Sequence, residues 1–318
     1  MVSEFELIRR FFTRVTPGAV LGVGDDAALV HIRHGMELAV STDMLVGGTH
    51  FFPDADPFFL GHKALAVNLS DMAAMAAQSC WVTLALSLPE VDEMWLEKFS
   101  AGLFALADEH QVALIGGDTT RGPLNLCVTI MGEVPHGAAL RRSGAQVGDD
   151  VWVSGVLGDA ALALAHIQGH IQLAAKDFAA CASALHQPMP RVALGLALRG
   201  VAHSAIDISD GLLADLGHIL ACSNVGAEIA FAALPISCTL RPYLGQPLVK
   251  HCVLAGGDDY ELCFTVPVAY RPEVEKIASN LGLLMTRIGT ITAEKKCIVR
   301  AADGSVINIE ESGYDHFR

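Results

Sequence analysis

Short aspartate-containing segments at the ends of apolar, β-prone runs constrain this chain more than any other feature of its sequence. Most of these segments also carry glycine, serine or threonine beside the carboxylates. The six segments are GVGDD (22–26), STD (41–43), NLSD (68–71), GGDTT (116–120), IDISDG (206–211) and GGDDYE (256–261). Side chains at strand ends can converge on one place, and glycine allows a ligand to approach the backbone closely. The sequence therefore predicts strands whose ends bring carboxylates together.

The β-prone runs alternate with helical segments, but several runs follow one another directly. Residues 56–77 and 92–110 are helical in character, and residues 81–88 form a separate strand. The runs on either side of His34 and Gly35 indicate a β-hairpin. A mixed order with adjacent strands is typical of α+β or mixed α/β layering, which is the fold class we predict.

Residues 135–150 interrupt this alternation. The stretch is rich in glycine and charge, and it is poor in large apolar side chains. A chain of 318 residues is long enough for two domains of ordinary size. We therefore predict an N-terminal domain over residues 1–137 and a C-terminal α/β domain over residues 148–318.

The aspartates as a set predict a cation site, although each one alone has a simpler explanation. Aspartate beside glycine is common in turns, and Asp210 could be the N-cap of the helix that follows it. Carboxylates that are gathered together repel one another unless a cation pairs with them. Carboxylate and hydroxyl oxygens suit Mg²⁺, and the spacing of a dedicated calcium loop is absent. We therefore expect several Mg²⁺ ions.

The net charge narrows the choice of partners. With 21 Lys and Arg against 35 Asp and Glu, the formal charge is −14, so nucleic acid is not an expected partner. An anionic nucleotide would need metal ions as a bridge, which is how Mg²⁺ is usually bound in phosphoryl-transfer sites. Neither a P-loop motif nor the protein-kinase motifs occur, so nucleotide binding requires another scaffold.

The cysteines and the apolar runs predict a cytoplasmic protein that does not enter a membrane. None of the eight cysteines forms a C-x-x-C pair, so we expect free thiols of a reducing compartment. The uncharged stretch over residues 72–89 is almost long enough to span a bilayer. We interpret it as the end of a helix followed by a buried strand.

Eight segments, in order from about residue 20 to the end, resemble the thiamine-monophosphate kinase family. They are GVGDDAA, STDMLVGGTHF, KALAVNLSDMAAM, GGDTTRG, RSGAQVGD, IDISDGLLADLGH, GGDDYELCF and GYDHF. This family shares its ATP-binding architecture with aminoimidazole ribonucleotide synthetase and selenophosphate synthetase. The resemblance implies an N-terminal domain for ATP, Mg²⁺ and dimerisation, whose sheet pairs with that of a second subunit. It also implies a C-terminal α/β domain and an ATP site in the cleft.

The resemblance assigns roles to individual residues. The implied Mg²⁺ ligands are Asp26, Ser41, Thr42, Asp43, Asp71, Asp118, Asp207 and Asp210. The implied ATP contacts are Gly117, Asp118, Arg142 and Ser209, with Arg141 as an alternative to Arg142. The implied contacts to thiamine monophosphate are His50, Asp258 and Tyr314. Asp258 departs from the family pattern, which commonly has glutamate there, so its carboxylate reaches one methylene less far.

The activity implied by the resemblance is phosphorylation of thiamine monophosphate by ATP, which yields thiamine diphosphate. The acceptor phosphate is already ionised near neutral pH, so an in-line transfer needs neither a general base nor a phosphoenzyme. Selenophosphate synthetase is disfavoured because no cysteine precedes Cys80. The alternatives are an enzyme like aminoimidazole ribonucleotide synthetase, a Mg²⁺-dependent phosphatase, and a non-catalytic sensor of nucleotide or metal.

Overall fold

A computed structural model describes residues 3–308 and 313–314 of the chain. The chain divides into two compact units. The first comprises Met1–Met72 and Ala77–Gly137, and the second comprises Ala73–Ala76 and Ala138–Arg318. Both units combine helices with a β-sheet, which confirms the mixed α/β class.

The first unit contains a four-stranded sheet in the order β3-β6-β4-β5, and a two-stranded sheet of β1 and β2. Its elements are α1 (Glu4–Leu7), continuing as a π-helical turn (Ile8–Phe12), β1 (Ala19–Leu21), β2 (Leu29–Val30), β3 (Met36–Val46), α2 (Pro57–Ala74), β4 (Gln78–Leu88), α3 (Glu93–His110), β5 (Ala113–Arg121) and β6 (Asn125–Pro135). The predicted helices over residues 56–77 and 92–110 correspond to α2 and α3. Residues 72–89 divide between the end of α2 and strand β4, as predicted.

Two glycines allow α2 and α3 to pack closely. A Cβ atom on Gly61 would lie 2.0 Å from the carbonyl oxygen of Phe99, and one on Gly102 would lie 1.8 Å from that of Phe58. Each glycine therefore permits backbone contact between the two helices at a distance that any side chain would prevent. Phe99 is fully buried at this crossing.

The predicted hairpin at His34 and Gly35 is wrong. Strand β3 pairs antiparallel with β6 along its whole length, whereas β2 pairs with β1. Glu133 of β6, which is buried, accepts hydrogen bonds from the backbone N–H and the guanidinium of Arg33. The long ladder with β6 and this buried carboxylate outweigh the local turn preference on which the hairpin prediction depended.

The second unit contains a seven-stranded sheet in the order β13-β12-β9-β11-β7-β10-β8. Its elements are β7 (Asp150–Ser154), α4 (Asp159–Ile167), α5 (Ala175–His186), α6 (Val192–Ala197), β8 (Ser204–Asp207), α7 (Leu212–Ser223), β9 (Gly226–Ala230), α8 (Pro247–Ala255), β10 (Leu262–Val266), α9 (Arg271–Leu281), β11 (Met285–Thr292), β12 (Cys297–Arg300) and β13 (Val306–Ile307). Short 3₁₀ turns occupy Phe231–Ala233, Arg241–Tyr243 and Val268–Tyr270.

Strands β7, β8 and β10 are buried along their whole length, and they bring two of the aspartate segments together. Leu262 at the start of β10 lies opposite Asp207 at the end of β8. The loop after β8 and the loop before β10 are therefore neighbours. The buried carboxylate of Glu261 fixes the second loop, because it binds Arg191 through two hydrogen bonds of 2.5 and 2.6 Å.

The cysteines are free thiols, as predicted. Cys181 and Cys252 are buried, and burial is the main cause that raises the pKa of each to about 12. Cys222 and Cys238 are exposed. In the described part of the chain, no helix is both long and apolar enough to cross a bilayer.

Thiol reactivity should follow this division. We expect iodoacetamide at neutral pH to alkylate Cys222 and Cys238 in the native protein, because their exposed thiols reach the reagent, whereas burial shields the thiols of Cys181 and Cys252. Cys181 and Cys252 should react only after denaturation. Peptide mapping by mass spectrometry measures all four sites, and alkylation of the buried pair at the rate of the exposed pair would contradict their burial.

Candidate functional site

Strand β3 and helix α2 bring predicted metal ligands together in the first unit. Successive side chains of a strand point to opposite faces, so Ser41 and Asp43 lie on the same face of β3. On that face, the hydroxyl of Ser41 donates a hydrogen bond to a carboxylate oxygen of Asp71 in α2. The hydrogen bond between Ser41 of β3 and Asp71 of α2 holds side by side two oxygen atoms that could bind a metal ion.

The hydroxyl of Thr42 does not join this group. Thr42 lies on the other face of β3, opposite Thr129 of β6, and the two hydroxyl oxygens are 2.9 Å apart. The hydroxyl of Thr42 therefore points away from Ser41 and Asp43. In a strand, three consecutive side chains cannot share one face.

His50 lies in the loop that follows β3. The backbone N–H of Val46 donates to Nδ1 of His50 over 3.0 Å, and the backbone N–H of His50 donates to the carbonyl oxygen of Val46 over 2.9 Å. Because Nδ1 accepts, the neutral imidazole carries its proton on Nε2. The loop therefore fixes both the ring and its tautomer, which presents an N–H donor.

Gly117 and Asp118 lie in the middle of β5, and Asp118 is exposed. Gly117 has a φ of +149°, and a Cβ atom there would lie 1.8 Å from the carbonyl oxygen of Leu84 in β4. The glycine is thus required for β5 to approach β4. It also sets the position of the neighbouring carboxylate.

Asp25 and Asp26 form an exposed turn. The carboxylate of Asp25 accepts the backbone N–H of Asp26 over 2.8 Å. The carboxylate of Asp25 therefore stabilises the turn, and Asp26 is exposed beside it.

In the second unit, one carboxylate organises the loop over residues 208–211. Oδ2 of Asp215 accepts the backbone N–H groups of Ser209, Asp210 and Gly211 at 3.0, 3.1 and 3.1 Å. Asp215 lies in the first turn of α7 and is only 3% exposed. The N-cap of α7 is Gly211, without a side-chain cap, so the alternative reading of Asp210 as N-cap is wrong.

Burial and neighbouring carboxylates raise the pKa of Asp215. Burial, followed by the charges of Asp207 and Asp210, raises the pKa of Asp215 to about 7, although hydrogen bonds from Asp210 and Gly211 oppose the shift. Such crowding of negative charge favours a cation nearby. All of the predicted metal ligands offer oxygen, which fits Mg²⁺.

The predicted substrate contacts meet this loop through the backbone. The N–H of Asp258 donates to the carbonyl oxygen of Ser209 over 2.9 Å, and the N–H of Tyr314 donates to that of Asp210 over 3.1 Å. The hydroxyl of Tyr260 donates to Asp258 over 3.1 Å. Asp258 and Tyr260 have φ values of 67° and 48°, a left-handed conformation that non-glycine residues adopt mainly at constrained sites. The last three residues of the motif GYDHF lie outside the described part of the chain.

Arg142 is not brought close to residues 209–211. The hydroxyl of Ser223 donates to the carbonyl oxygen of Arg142 and accepts N–H groups from Gly144 and Ala145. Ser223 ends α7, whereas residues 209–211 precede it. A helix of 12 residues is about 18 Å long, so Arg142 and Ser209 would have to contact different parts of a ligand. Arg141 and Arg142 are both exposed.

Among the described residues, no three His, Cys, Asp or Glu side chains form a metal-binding group. Within the second unit, Ser209, Asp210, Asp258 and Tyr314 are joined through loop 208–211. Within the first unit, Ser41 and Asp71 are joined directly. Asp215 was not among the predicted site residues, although its position in the first turn of the helix after IDISDG was a usable signal.

Models of one protein family match most of the chain. The AIR synthase related protein N-terminal domain matches residues 24–134, and the corresponding C-terminal domain matches residues 146–302. The chain is 49% identical to thiamine-monophosphate kinase of Escherichia coli strain K12, over 99% of this chain and 98% of that protein.

Solved structures show the same similarity. The crystal structure of thiamine-monophosphate kinase from Stenotrophomonas maltophilia K279a is 52% identical, with a TM-score of 0.85 over 92% of this chain and 93% of that one. A ThiL structure in complex with AMPPCP and TMP is 30% identical, with a TM-score of 0.79 over 90% of this chain and 89% of that one.

Replacement of Gly117 tests the close approach of β5 to β4. We expect Gly117→Ala to lower the free energy of unfolding by about 3 kcal/mol, because its Cβ would overlap the backbone of Leu84. Gly116→Ala is the matched control. Its Cβ would meet nothing nearer than Thr83 Cγ2 at 3.8 Å, and the change should stay within about 1 kcal/mol. Chemical denaturation measures both, and equal stability of the two variants would refute the requirement for glycine.

Proposed function

Because the chain belongs to the thiamine-monophosphate kinase family, we propose that it transfers the γ-phosphoryl group of ATP to thiamine monophosphate. The products are ADP and thiamine diphosphate, so the reaction is a step in thiamine diphosphate biosynthesis. The ThiL complex with AMPPCP and TMP supports both substrates. The identity to the Escherichia coli enzyme extends over the whole chain, so neither domain lacks a counterpart.

The loop over residues 208–211 is the observation on which the site assignment rests. It carries Ser209, the proposed nucleotide contact, and Asp210, a proposed metal ligand. Its carbonyl groups accept hydrogen bonds from Asp258 and Tyr314, the proposed contacts to thiamine monophosphate. A loop that joins these residues can hold the donor and the acceptor phosphates in a fixed relation, which is the main requirement of phosphoryl transfer.

The Mg²⁺ ions would be held by oxygen ligands. The proposed ligands are Asp26, Ser41, Asp43, Asp71, Asp118, Asp207 and Asp210. Bound Mg²⁺ would neutralise charge on the polyphosphate and on the transferred group. The hydroxyl of Thr42 is left out because it lies on the other face of β3.

The side chains of this protein need only bind and orient the substrates. A phosphate monoester is largely ionised near pH 7, so its oxygen can attack in line without a general base. His50 would donate from Nε2 to an acceptor oxygen. Asp258 and the exposed ring of Tyr314 suit the cationic thiazolium of the substrate. Gly117 and Arg142 are the remaining proposed contacts to ATP. No covalent phosphoenzyme is required.

We also propose that the protein is a cytoplasmic homodimer whose first units associate. The face of the four-stranded sheet that carries Thr42 also exposes apolar side chains of β3. Val40 is 57% exposed and Met44 is 55% exposed, and Leu38 lies in the same row. A row of exposed apolar side chains on a regular sheet is suited to pairing with an identical face. Free thiols support a reducing compartment.

Product analysis tests the proposed reaction. With Mg²⁺ and ATP, we expect ADP and thiamine diphosphate in equal amounts from thiamine monophosphate, and neither product from free thiamine or without acceptor. Removal of Mg²⁺ by EDTA should abolish turnover, and added Mg²⁺ should restore it. Release of inorganic phosphate from thiamine monophosphate without ATP would instead indicate a phosphatase. ATP binding without thiamine diphosphate would refute the substrate.

Substitution of Asp71 tests the proposed metal ligands. We expect Asp71→Asn to lower kcat/KM at least about 100-fold, because the neutral amide is a poor ligand for Mg²⁺. Asp108→Asn is the control, since Asp108 is an exposed carboxylate that pairs with Arg14 at 3.1 Å. Equal activity of the two variants would remove Asp71 from the site.

A charge on the exposed face of β3 tests the homodimer. We expect Val40→Glu to convert the dimer to a monomer, because the interface would bury an unpaired carboxylate. Val268→Glu, at an exposed position of the second unit, should leave the dimer intact. Light scattering after gel filtration measures the mass of each. A monomeric native protein, or a dimeric Val40→Glu variant, would contradict this interface.

A further inference from the structure

Asp215 fills a position that a phosphate group could otherwise occupy. Three consecutive N–H groups that point at one spot before a helix form the kind of cradle in which proteins bind anions. Here the spot is taken by Oδ2 of Asp215, at 3.0 to 3.1 Å from all three nitrogens. The carboxylate reaches back from the first turn of α7, in the direction in which helical side chains point.

This occupation decides how residues 209–211 can meet a ligand. The N–H of Ser209 is engaged by Asp215, so a contact between Ser209 and a nucleotide must come from its hydroxyl group. The N–H of Asp210 is engaged as well, and its carbonyl oxygen accepts the N–H of Tyr314. The backbone of the loop therefore serves to hold side chains in place and does not bind phosphate itself.

The loop over residues 208–211 is bound to two other segments of the chain. Asp258 and Tyr314 are tied to it by the hydrogen bonds that Ser209 and Asp210 accept. Gly257 also approaches the loop so closely that a Cβ atom there would lie 2.4 Å from the carbonyl oxygen of Ser209. A displacement of residues 209–211 would therefore move the proposed contacts to both substrates.

We propose that Asp215 is a positioning residue for the phosphoryl transfer, acting through the backbone of residues 209–211 on Ser209 and Asp210 and, through them, on Asp258 and Tyr314. The proposal rests on the function proposed above. It assigns to Asp215 no contact with ATP, thiamine monophosphate or metal. The role requires an oxygen atom on side chain 215 that accepts hydrogen bonds from the N–H groups of residues 209–211.

Substitutions of Asp215 can separate the effect of side-chain length from the effect of the hydrogen-bond acceptor. Asp215→Asn keeps the length and one carbonyl oxygen that can accept the three N–H groups. Asp215→Glu keeps the charge but adds a methylene, which displaces the oxygen. Asp215→Ala removes the acceptor. We expect KM for both substrates to rise about tenfold or more in the Ala and Glu variants, and to stay within about threefold in the Asn variant.

Hydrogen exchange provides a readout that is independent of turnover. In Asp215→Ala, the amides of residues 209–211 should exchange about tenfold faster or more, because their acceptor is gone. Binding of AMPPCP with Mg²⁺, measured by calorimetry, should weaken in parallel. The control is Asp150→Ala. Asp150 begins β7 in the same unit, and its buried carboxylate pairs with Arg271. The Asp150→Ala variant should be less stable than the native protein, but its KM values and its hydrogen exchange at residues 209–211 should not change.

The outcomes separate this proposal from the proposed function. If the native protein makes no thiamine diphosphate, the function fails, whereas exchange and AMPPCP binding still test Asp215. If Asp215→Ala does not fold, the Asn and Glu variants decide. Activity retained in Glu but lost in Asn would show that the charge acts directly, and would overturn the positioning role. Unchanged KM values and unchanged exchange in Asp215→Ala would also overturn it.

Discussion

Repulsion between neighbouring carboxylates is the constraint around which this protein is built. The carboxylates of Asp207 and Asp210 repel each other, so contacts with other parts of the fold must hold these residues in place. Asp207 is held because it ends a buried strand that pairs with β10. Asp210 is held through its backbone, by Asp215 on one side and Tyr314 on the other. Burial, followed by the charges of Asp207 and Asp210, raises the pKa of Asp215 to about 7.

Close backbone approach is the second means by which the site is assembled. Gly117 lets β5 lie against β4 directly before Asp118, and Gly257 lets the segment before Asp258 lie against Ser209. In both places a carboxylate that we propose for the site follows a glycine that no other residue could replace without displacing the backbone. The glycines beside the aspartates therefore serve the packing of the protein itself, in addition to any access they give to a ligand.

Strand β3 performs two tasks because its faces differ. One face carries Ser41 and Asp43 toward helix α2, where Ser41 binds Asp71. The other carries Val40, Thr42 and Met44, which are exposed. A single strand can thus contribute to a polar site and to an apolar surface without conflict, since alternate side chains never share a face.

The sequence by itself determined the mixed α/β class, helices α2 and α3, the free thiols and, through eight motifs in order, the family and its reaction. These features depend on local composition and on residues whose type the chemistry dictates. It failed where partners distant in the chain decide the outcome. In place of the hairpin predicted at Gly35, β3 pairs with β6. The N-cap of α7 is Gly211 and not Asp210. Only the tertiary structure could place Thr42 on the far face from Asp71, or show one oxygen of Asp215 accepting three N–H groups. Such contacts depend on strand register and on backbone direction, which no short segment of sequence specifies.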